Sequence, residues 1–150
     1  MKTVCVVVLS AVLVLGSLSF AVADSEYIGV IKSVKPIVSV IRQGSVVPAA
    51  ANMKLMAKDE LRTGTDGAVG IILNDDTVLS LGPDSDIVIE DFAFDPAAEK
   101  LSFIVRMLQG TANYLSGQIE KLSPDSIQFK TPVATIGARG THFLLKVERD

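Results

Sequence analysis

Apolar and polar residues alternate at a period of two along much of this chain. Leu101, Phe103, Val105 and Met107 are interleaved with Ser102 and Arg106, and Phe143, Leu145 and Val147 with His142, Leu144 and Lys146. Gly67 to Leu73 and Thr77 to Leu81 are rich in β-formers, and Ile87-Val88-Ile89 runs on into Phe92 and Phe94. Such spacing predicts half-buried strands. Turn residues punctuate the chain at short intervals: Gly44, Pro48, Gly64-Thr65-Asp66-Gly67, Asn74-Asp75-Asp76, Gly82-Pro83, Asp95-Pro96, Gly110, Gly117, Pro124 and Pro132. About ten short strands so divided predict a single all-β domain of the sandwich or jelly-roll kind, with a barrel or a short β-solenoid as alternatives. Only Ala49–Lys58 and Ser116–Leu122 offer helical stretches.

The N-terminus breaks this pattern. After Lys2, residues 3–23 carry no charge and end in Ala21-Val22-Ala23, followed by Asp24 and Glu26. A basic start, an apolar run and an A-x-A site predict a secretory signal peptide over 1–23, leaving 24–150 as the β domain. An uncleaved anchor is the alternative, because about twenty apolar residues can span a bilayer. The small residues before acids favour cleavage, after which no stable transmembrane span remains. Cys5, the one cysteine, lies inside the apolar run, so neither a lipoprotein anchor at the cleavage point nor a disulfide framework is expected.

Composition narrows the partners. The chain has 150 residues and a net charge of −3 without a basic run, which argues against nucleic acid, since phosphate binding needs clustered Lys and Arg. One histidine and one cysteine make no zinc site, and no set of iron ligands is evident. No cofactor is expected.

Three segments carry a family pattern: GVIKSVKPIVSVIRQG at 29–44, KDELRTGTDGAVGIILNDDTVLSLGPDSDIVIE at 58–90 and TPVATIGARGTHFLLKV at 131–147. Together they resemble the FecR domain family, whose members are envelope β domains best known as the periplasmic part of iron-uptake sigma-factor regulators. The pattern singles out Asp59, Thr63, Gly64, Asp75, Asp76, Thr77, Thr131, Pro132, Arg139, Gly140 and Thr141, read here as structural residues. Two departures stand out: Lys58-Asp59 replaces the family's usual Gly-Asp, and Asp75-Asp76 replaces Asp-Gly at a hairpin. Asp tolerates the left-handed backbone region better than most residues, so the fold is expected to survive. Only Met1 and Lys2 precede the apolar run, so the resemblance implies a stand-alone exported domain and does not carry transmembrane signalling with it.

Candidate chemistry is sparse. His142 alternates with Phe143 and is expected on the solvent face, with no triad around it. Asp84, Asp86, Glu90, Asp91 and Asp95 could in principle form paired carboxylates or a weak calcium site, but acids at turns and on exposed strand faces are the usual explanation and the favoured one. Gly64, Gly67 and Gly70 do not make a dinucleotide fingerprint, and Gly137-Ala138-Arg139-Gly140 lies between strands in an acidic chain, unlike an RNA-binding G-x-x-G loop. Arg139 could clamp a ligand carboxylate. The favoured alternative pairs it with an acid or backbone carbonyls to fix the C-terminal hairpin, so that Arg139→Ala lowers the melting temperature. The resulting expectation is a non-enzymatic periplasmic or secreted binding or scaffolding module that contacts an envelope protein or cell-wall glycan. An accessory sensor in FecR-type signalling comes second and a carboxylate-dependent glycan hydrolase third. Exposed strand edges could recruit a partner strand.

Overall fold

The computed structural model describes residues 26–149, so the expected signal peptide over 1–23 lies outside the described residues. In chain order the strands are β1 (Gly29–Val34), β2 (Val38–Arg42), β3 (Ser45–Pro48), β4 (Lys54–Leu55), β5 (Glu60–Thr63) and β6 (Val69–Leu73). They continue with β7 (Val78–Leu81), β8 (Asp86–Asp95), β9 (Lys100–Leu115), β10 (Ile127–Lys130), β11 (Thr135–Gly137) and β12 (His142–Val147). One short helix, α1 (Gln118–Leu122), follows β9. The expected all-β domain is what forms.

Two sheets share β9. One runs β3-β2-β5-β8-β9-β10-β11 and the other β4-β1-β6-β7-β9-β12. Every pairing is antiparallel except β9 with β10. The ends of the strand path stay unpaired, so the sheet curls over its core without closing into a barrel. A single apolar cluster drawn from both sheets fills the interior. Among the described residues no helix is long and apolar enough to cross a membrane.

The burial pattern explains where simple alternation fails. β9 buries Phe103, Val105 and Met107, then Ala112 and Tyr114, so its inward set passes from odd to even positions. The change falls where the ladder with β8 skips Leu108 and where Gly110 takes φ +100. A side chain at Gly110 would lie 2.3 Å from the Ser85 Cα, so glycine is required there on two counts. β8 makes a similar switch: Ile87 and Ile89 are buried, Glu90 is the unopposed residue of a bulge, and Phe92 and Phe94 then turn toward the core. An aromatic group ties the two halves of β9 to β10 and β12. The Phe129 ring centroid is 5.9 Å from Phe103, 5.4 Å from Tyr114 and 5.1 Å from Phe143.

One expected helix is absent. Residues 49–58 form turns around the two-residue β4, with Asn52 and Lys58 at positive φ. The Asn52 N–H donates to the Ile31 carbonyl at 2.8 Å and the Ile31 N–H to the Met53 carbonyl at 2.9 Å, so the segment spends its backbone groups on β1 instead of on itself. Alanine at 49–51 favours helix, but a helix of about ten residues is marginal on its own, and cross-strand pairing wins. The second helical stretch forms as α1, shortened to five residues with Ile119 buried.

Tyr114 is fully buried and its hydroxyl has no hydrogen-bond partner. Burial pushes its phenol well above the ordinary value, with the negative charges of Asp75 and Glu120 adding to the rise. The unfolded chain releases this proton near pH ~10 while the folded chain keeps it, so the contribution is full below that pH and is lost as pH rises above it. Tyr114→Phe is expected to raise stability at neutral pH by about 1 kcal/mol, because an unpaired buried hydroxyl disappears. It should also flatten the alkaline loss of stability, as read by urea titrations at neutral pH and above about pH 10.

Candidate functional site

The residues singled out by the sequence pattern divide by burial. Asp59, Thr63, Asp75 and Thr77 are four of the five buried polar residues, the fifth being Ser85. Each closes a corner of the fold. Asp59 accepts from Arg42 through two bonds, Nε to Oδ1 at 2.9 Å and Nη2 to Oδ2 at 2.6 Å, and from the Met56 N–H at 2.8 Å. Arg42 also donates to the Lys54 carbonyl, which joins the end of β2 to β4 in the other sheet. Hydrogen bonding to Asp59, aided by its charge, holds the Arg42 guanidinium above its ordinary value.

At the second corner the Thr63 hydroxyl donates to the Gly82 carbonyl and accepts from the Ser85 N–H. The Ser85 hydroxyl in turn donates to Gly82 and accepts from the Thr111 N–H beside Gly110. Gly64 lies against Ile37, where a side chain would come within 2.6 Å of Cγ2. Asp75 builds the third corner: its carboxylate accepts from the Thr77 N–H, the Thr77 hydroxyl and the Ile119 N–H, while its carbonyl accepts from the Gln118 N–H. It thereby joins the β6–β7 hairpin to the start of α1. Gly117 permits the approach, since a Cβ there would sit 2.3 Å from the Asp75 carbonyl oxygen.

Both departures from the family's glycines fall at left-handed positions, Lys58 at φ +70 and Asp76 at φ +68. Asp76 also accepts from the Gln118 amide at 2.9 Å, a contact that a glycine would forgo.

The C-terminal part of the pattern is exposed. Thr131 clamps a turn by donating its N–H to the Ala134 carbonyl at 2.7 Å and accepting the Ala134 N–H on its hydroxyl at 3.1 Å. Pro132 and Val133 form the tip, and Val133 is 89% exposed. Arg139 pairs with Asp125 at 2.5 Å, an acid partner as expected, but both side chains are largely in solvent. Such a pair is screened and contributes little to stability, so the expected thermal cost of losing Arg139 is corrected to none. The Gly140 N–H donates to Glu120, and the Thr141 carbonyl accepts from the Ser116 N–H. His142 is exposed and lies 2.6 Å from the Asn113 side-chain oxygen.

The acids of 84–95 are dispersed into separate tasks. Asp84 occupies a left-handed turn position, Asp91 accepts from the Ser102 hydroxyl and Asp95 caps the turn at Pro96–Ala98. Glu90 is held between Lys130 and Arg106, which keep its carboxyl below the usual range. Asp86 shares Arg62 with Glu60, and burial followed by the Glu60 charge pushes its carboxyl up. Among the described residues no group of three or more His, Cys, Asp or Glu side chains is placed to hold a metal ion.

A cleft of about 380 Å³ lies where residues 26–28 pass the far end of the β8–β9 hairpin. Its lining mixes Tyr27, Ile28, Phe92 and Phe94 with Glu26, Asn74, Asp95 and Lys100. One wall is fixed by hydrogen bonds: the Asn74 side chain donates to the Tyr27 carbonyl at 2.6 Å, the Asn74 N–H to the Ile28 carbonyl and the Ile28 N–H to Leu55. The Lys54 ammonium sits 4.6 Å over the Tyr27 ring. Aromatic and polar side chains therefore share the lining of this cleft. The cleft leaves no local signature in the chain, because Tyr27 and Phe94 are 67 positions apart and meet only through the sheet.

The described residues thus form an all-β domain whose corners are pinned by buried acids, with a cleft beside the β8–β9 hairpin. The family model described as FecR protein matches residues 59–150, and the chain belongs to the FecR family. Strands β1 to β4 precede the matched region, yet β1 pairs with β6 and β2 with β5 inside it, in the same two sheets. Comparison with curated proteins and with solved structures found no match.

Asp75→Ala is expected to cost about 3 kcal/mol, because two backbone N–H groups and a hydroxyl lose a buried charged acceptor. Arg139→Ala should leave the melting temperature unchanged, so thermal scans of the two variants separate a buried pin from a surface pair. Lys58→Gly should raise stability by roughly 0.5–1 kcal/mol by relieving the left-handed strain, a rise of about 2–4 °C in the same scans.

Proposed function

We propose that this FecR-family domain is a non-enzymatic periplasmic binding or scaffolding module that holds an envelope protein or cell-wall glycan in the cleft beside the β8–β9 hairpin. The observation that carries this reading is the cleft itself. Tyr27, Phe92 and Phe94 supply apolar area, while Asn74, Asp95 and Lys100 supply directional groups at its rim. A peptide loop or a sugar ring uses both kinds of contact. The acids that a hydrolase would need are spent on ion pairs and turns, which supports binding over turnover. Membership of the FecR family favours a second reading, an accessory that reports the state of a receptor to a separate membrane protein.

Both readings meet in one experiment. A photo-reactive side chain placed at Lys100 in the cell should capture the same envelope protein or wall glycan repeatedly, and one placed at Leu144 should not. Tyr27→Ala should lower that capture several-fold with the melting temperature preserved. An outer-membrane receptor or inner-membrane regulator as the captured species selects the sensor reading. Equal capture at the two positions removes the cleft from the proposal. Hydrolysis of wall glycan that disappears in Asp86→Asn would overturn the non-enzymatic reading.

A further inference from the structure

The four edges of the two sheets are not alike. In the sheet that ends in β4 and β12, one edge strand is two residues long and begins with Lys54, and the other carries His142 and Lys146. Short length and charge are the usual protections against pairing with another chain. The sheet that ends in β3 and β11 also has short edge strands, of four and three residues, but it lacks the charge: residues 43–53 and 131–138 contain no charged side chain at all. Val46 on β3 and Ile136 on β11 are among the exposed large apolar residues.

The backbone distinguishes these two bare edges. Along β11 the Thr131 N–H bonds to the Ala134 carbonyl and the Ala138 N–H to the Ile127 carbonyl. The alternation of an antiparallel ladder then turns both backbone groups of Thr135 and of Gly137 away from β10, toward the open side. Along β3 the Ala49 N–H bonds to the Val38 carbonyl, which turns Val46 and Pro48 outward. Proline has no N–H to give, so that edge offers one donor where β11 offers two.

We propose that β11 pairs antiparallel with β11 of a second copy of this chain, about a two-fold axis at Ile136. This goes beyond the cleft reading and does not depend on it. In this register Thr135 of each copy faces Gly137 of the other, and all four outward groups of each strand find partners. The arrangement is self-complementary, as a two-fold interface must be. Ala134 then faces Ala138 and Val133 faces Arg139, so no like charges meet across the axis.

Gly137 supports the same register. It has no positive φ, and a Cβ built on it would meet nothing within 4 Å, so neither backbone strain nor packing within one copy asks for glycine there. At the end of β11 it leaves the backbone open to close approach by another chain, one of the uses of glycine in a strand. It also forms, with Thr135, Gln128 and Arg139, part of the lining of a shallow depression of about 300 Å³, over which Thr135 of the second copy would lie. Ile136, 37% exposed although its ladder partner Phe129 is fully buried, would be covered by Ile136 of the second copy. A three-residue edge buries less than the roughly 1,200 Å² of a standard interface, so the dimer is concentration-dependent.

Cysteine scanning of the full chain on a Cys5→Ser background tests this. The pair at Ile136 is a non-hydrogen-bonded one with Cα atoms about 4.5 Å apart, within disulfide reach. Under mild oxidation Ile136→Cys should give at least about tenfold more covalent dimer than Val46→Cys or Leu144→Cys, both at positions 67% exposed in one copy. Adding Thr135→Lys should abolish the Ile136→Cys dimer, because a charge on the edge blocks strand addition. Thr135 donates no ladder bond to β10, so the single variant should keep its melting temperature. Equal cross-linking at the three cysteines, or dimer that persists with Thr135→Lys, overturns the proposal. So does cross-linking confined to Val46→Cys, which would move the contact to β3.

Discussion

Because β9 serves both sheets, its backbone has to exchange inward and outward faces halfway along, and the rest of the fold is arranged around that exchange. Gly110 makes the exchange possible only with Ser85 packed against it, at a distance that leaves no room for a Cβ. Ser85 is held there by Thr63 and Gly82, which belong to the end of β5 and the turn after β7. A single bend therefore dictates the position of a buried hydroxyl, and that hydroxyl dictates where two other strands must end. Fully satisfied buried networks of this kind specify one arrangement where apolar packing alone would tolerate several.

The same logic accounts for the two buried carboxylates. A lone buried charge costs several kcal/mol, and each of these is matched by donors that come from a different part of the chain. Asp59 draws on Arg42, 17 residues earlier, and Asp75 on Ile119, 44 residues later. Their contacts close corners between sheets and between hairpin and helix, where no strand ladder can reach. The ion pairs on the outer face, by contrast, are surface ladders such as Lys130–Glu90–Arg106 that cross strands already paired by their backbones. The interior carboxylates fix the fold's corners, and the exterior ones mainly keep its outer face soluble.

Much of this was legible in the sequence, and the failures have definite causes. Strict alternation located the first half of β9 and all of β12, because each keeps one inward phase. The run from Ile87 into Phe92 and Phe94 is one strand, as its β-formers indicate, but only the ladder reveals that Glu90 is an extra residue within it. The alanines at 49–51 suggest helix because propensity is local, while the backbone partners of this segment, Val38 for Ala49 and Ile31 for Asn52 and Met53, lie 11 to 22 positions away. The pattern residues were visible, but their division into buried pins and an exposed turn was not: Asp75 and Thr131 look alike as polar residues at turns. The cleft had no local signature, since its walls come from chain segments that meet only in the folded sheet. The bare edges did leave a trace, as uncharged runs in a chain with 21% charged residues, though nothing local tells an edge strand from a central one.

The cleft and the β11 edge occupy different parts of the same sheet. Lys100 at the cleft and Val105, level with Phe129 and Ile136, are five positions apart on β9, which is roughly 16 Å along the strand, and two strand spacings add roughly 10 Å across it. An occupant of the cleft and a second copy at β11 therefore do not compete for the same atoms. A two-fold axis at Ile136 would set two clefts on one rigid, continuous sheet. Two weak sites held in fixed relation bind a repetitive surface, such as a glycan mesh or an array of receptors, far more tightly than either does alone. For a domain whose cleft and edge contact are both small, the proposed pairing would supply an avidity that neither surface supplies by itself.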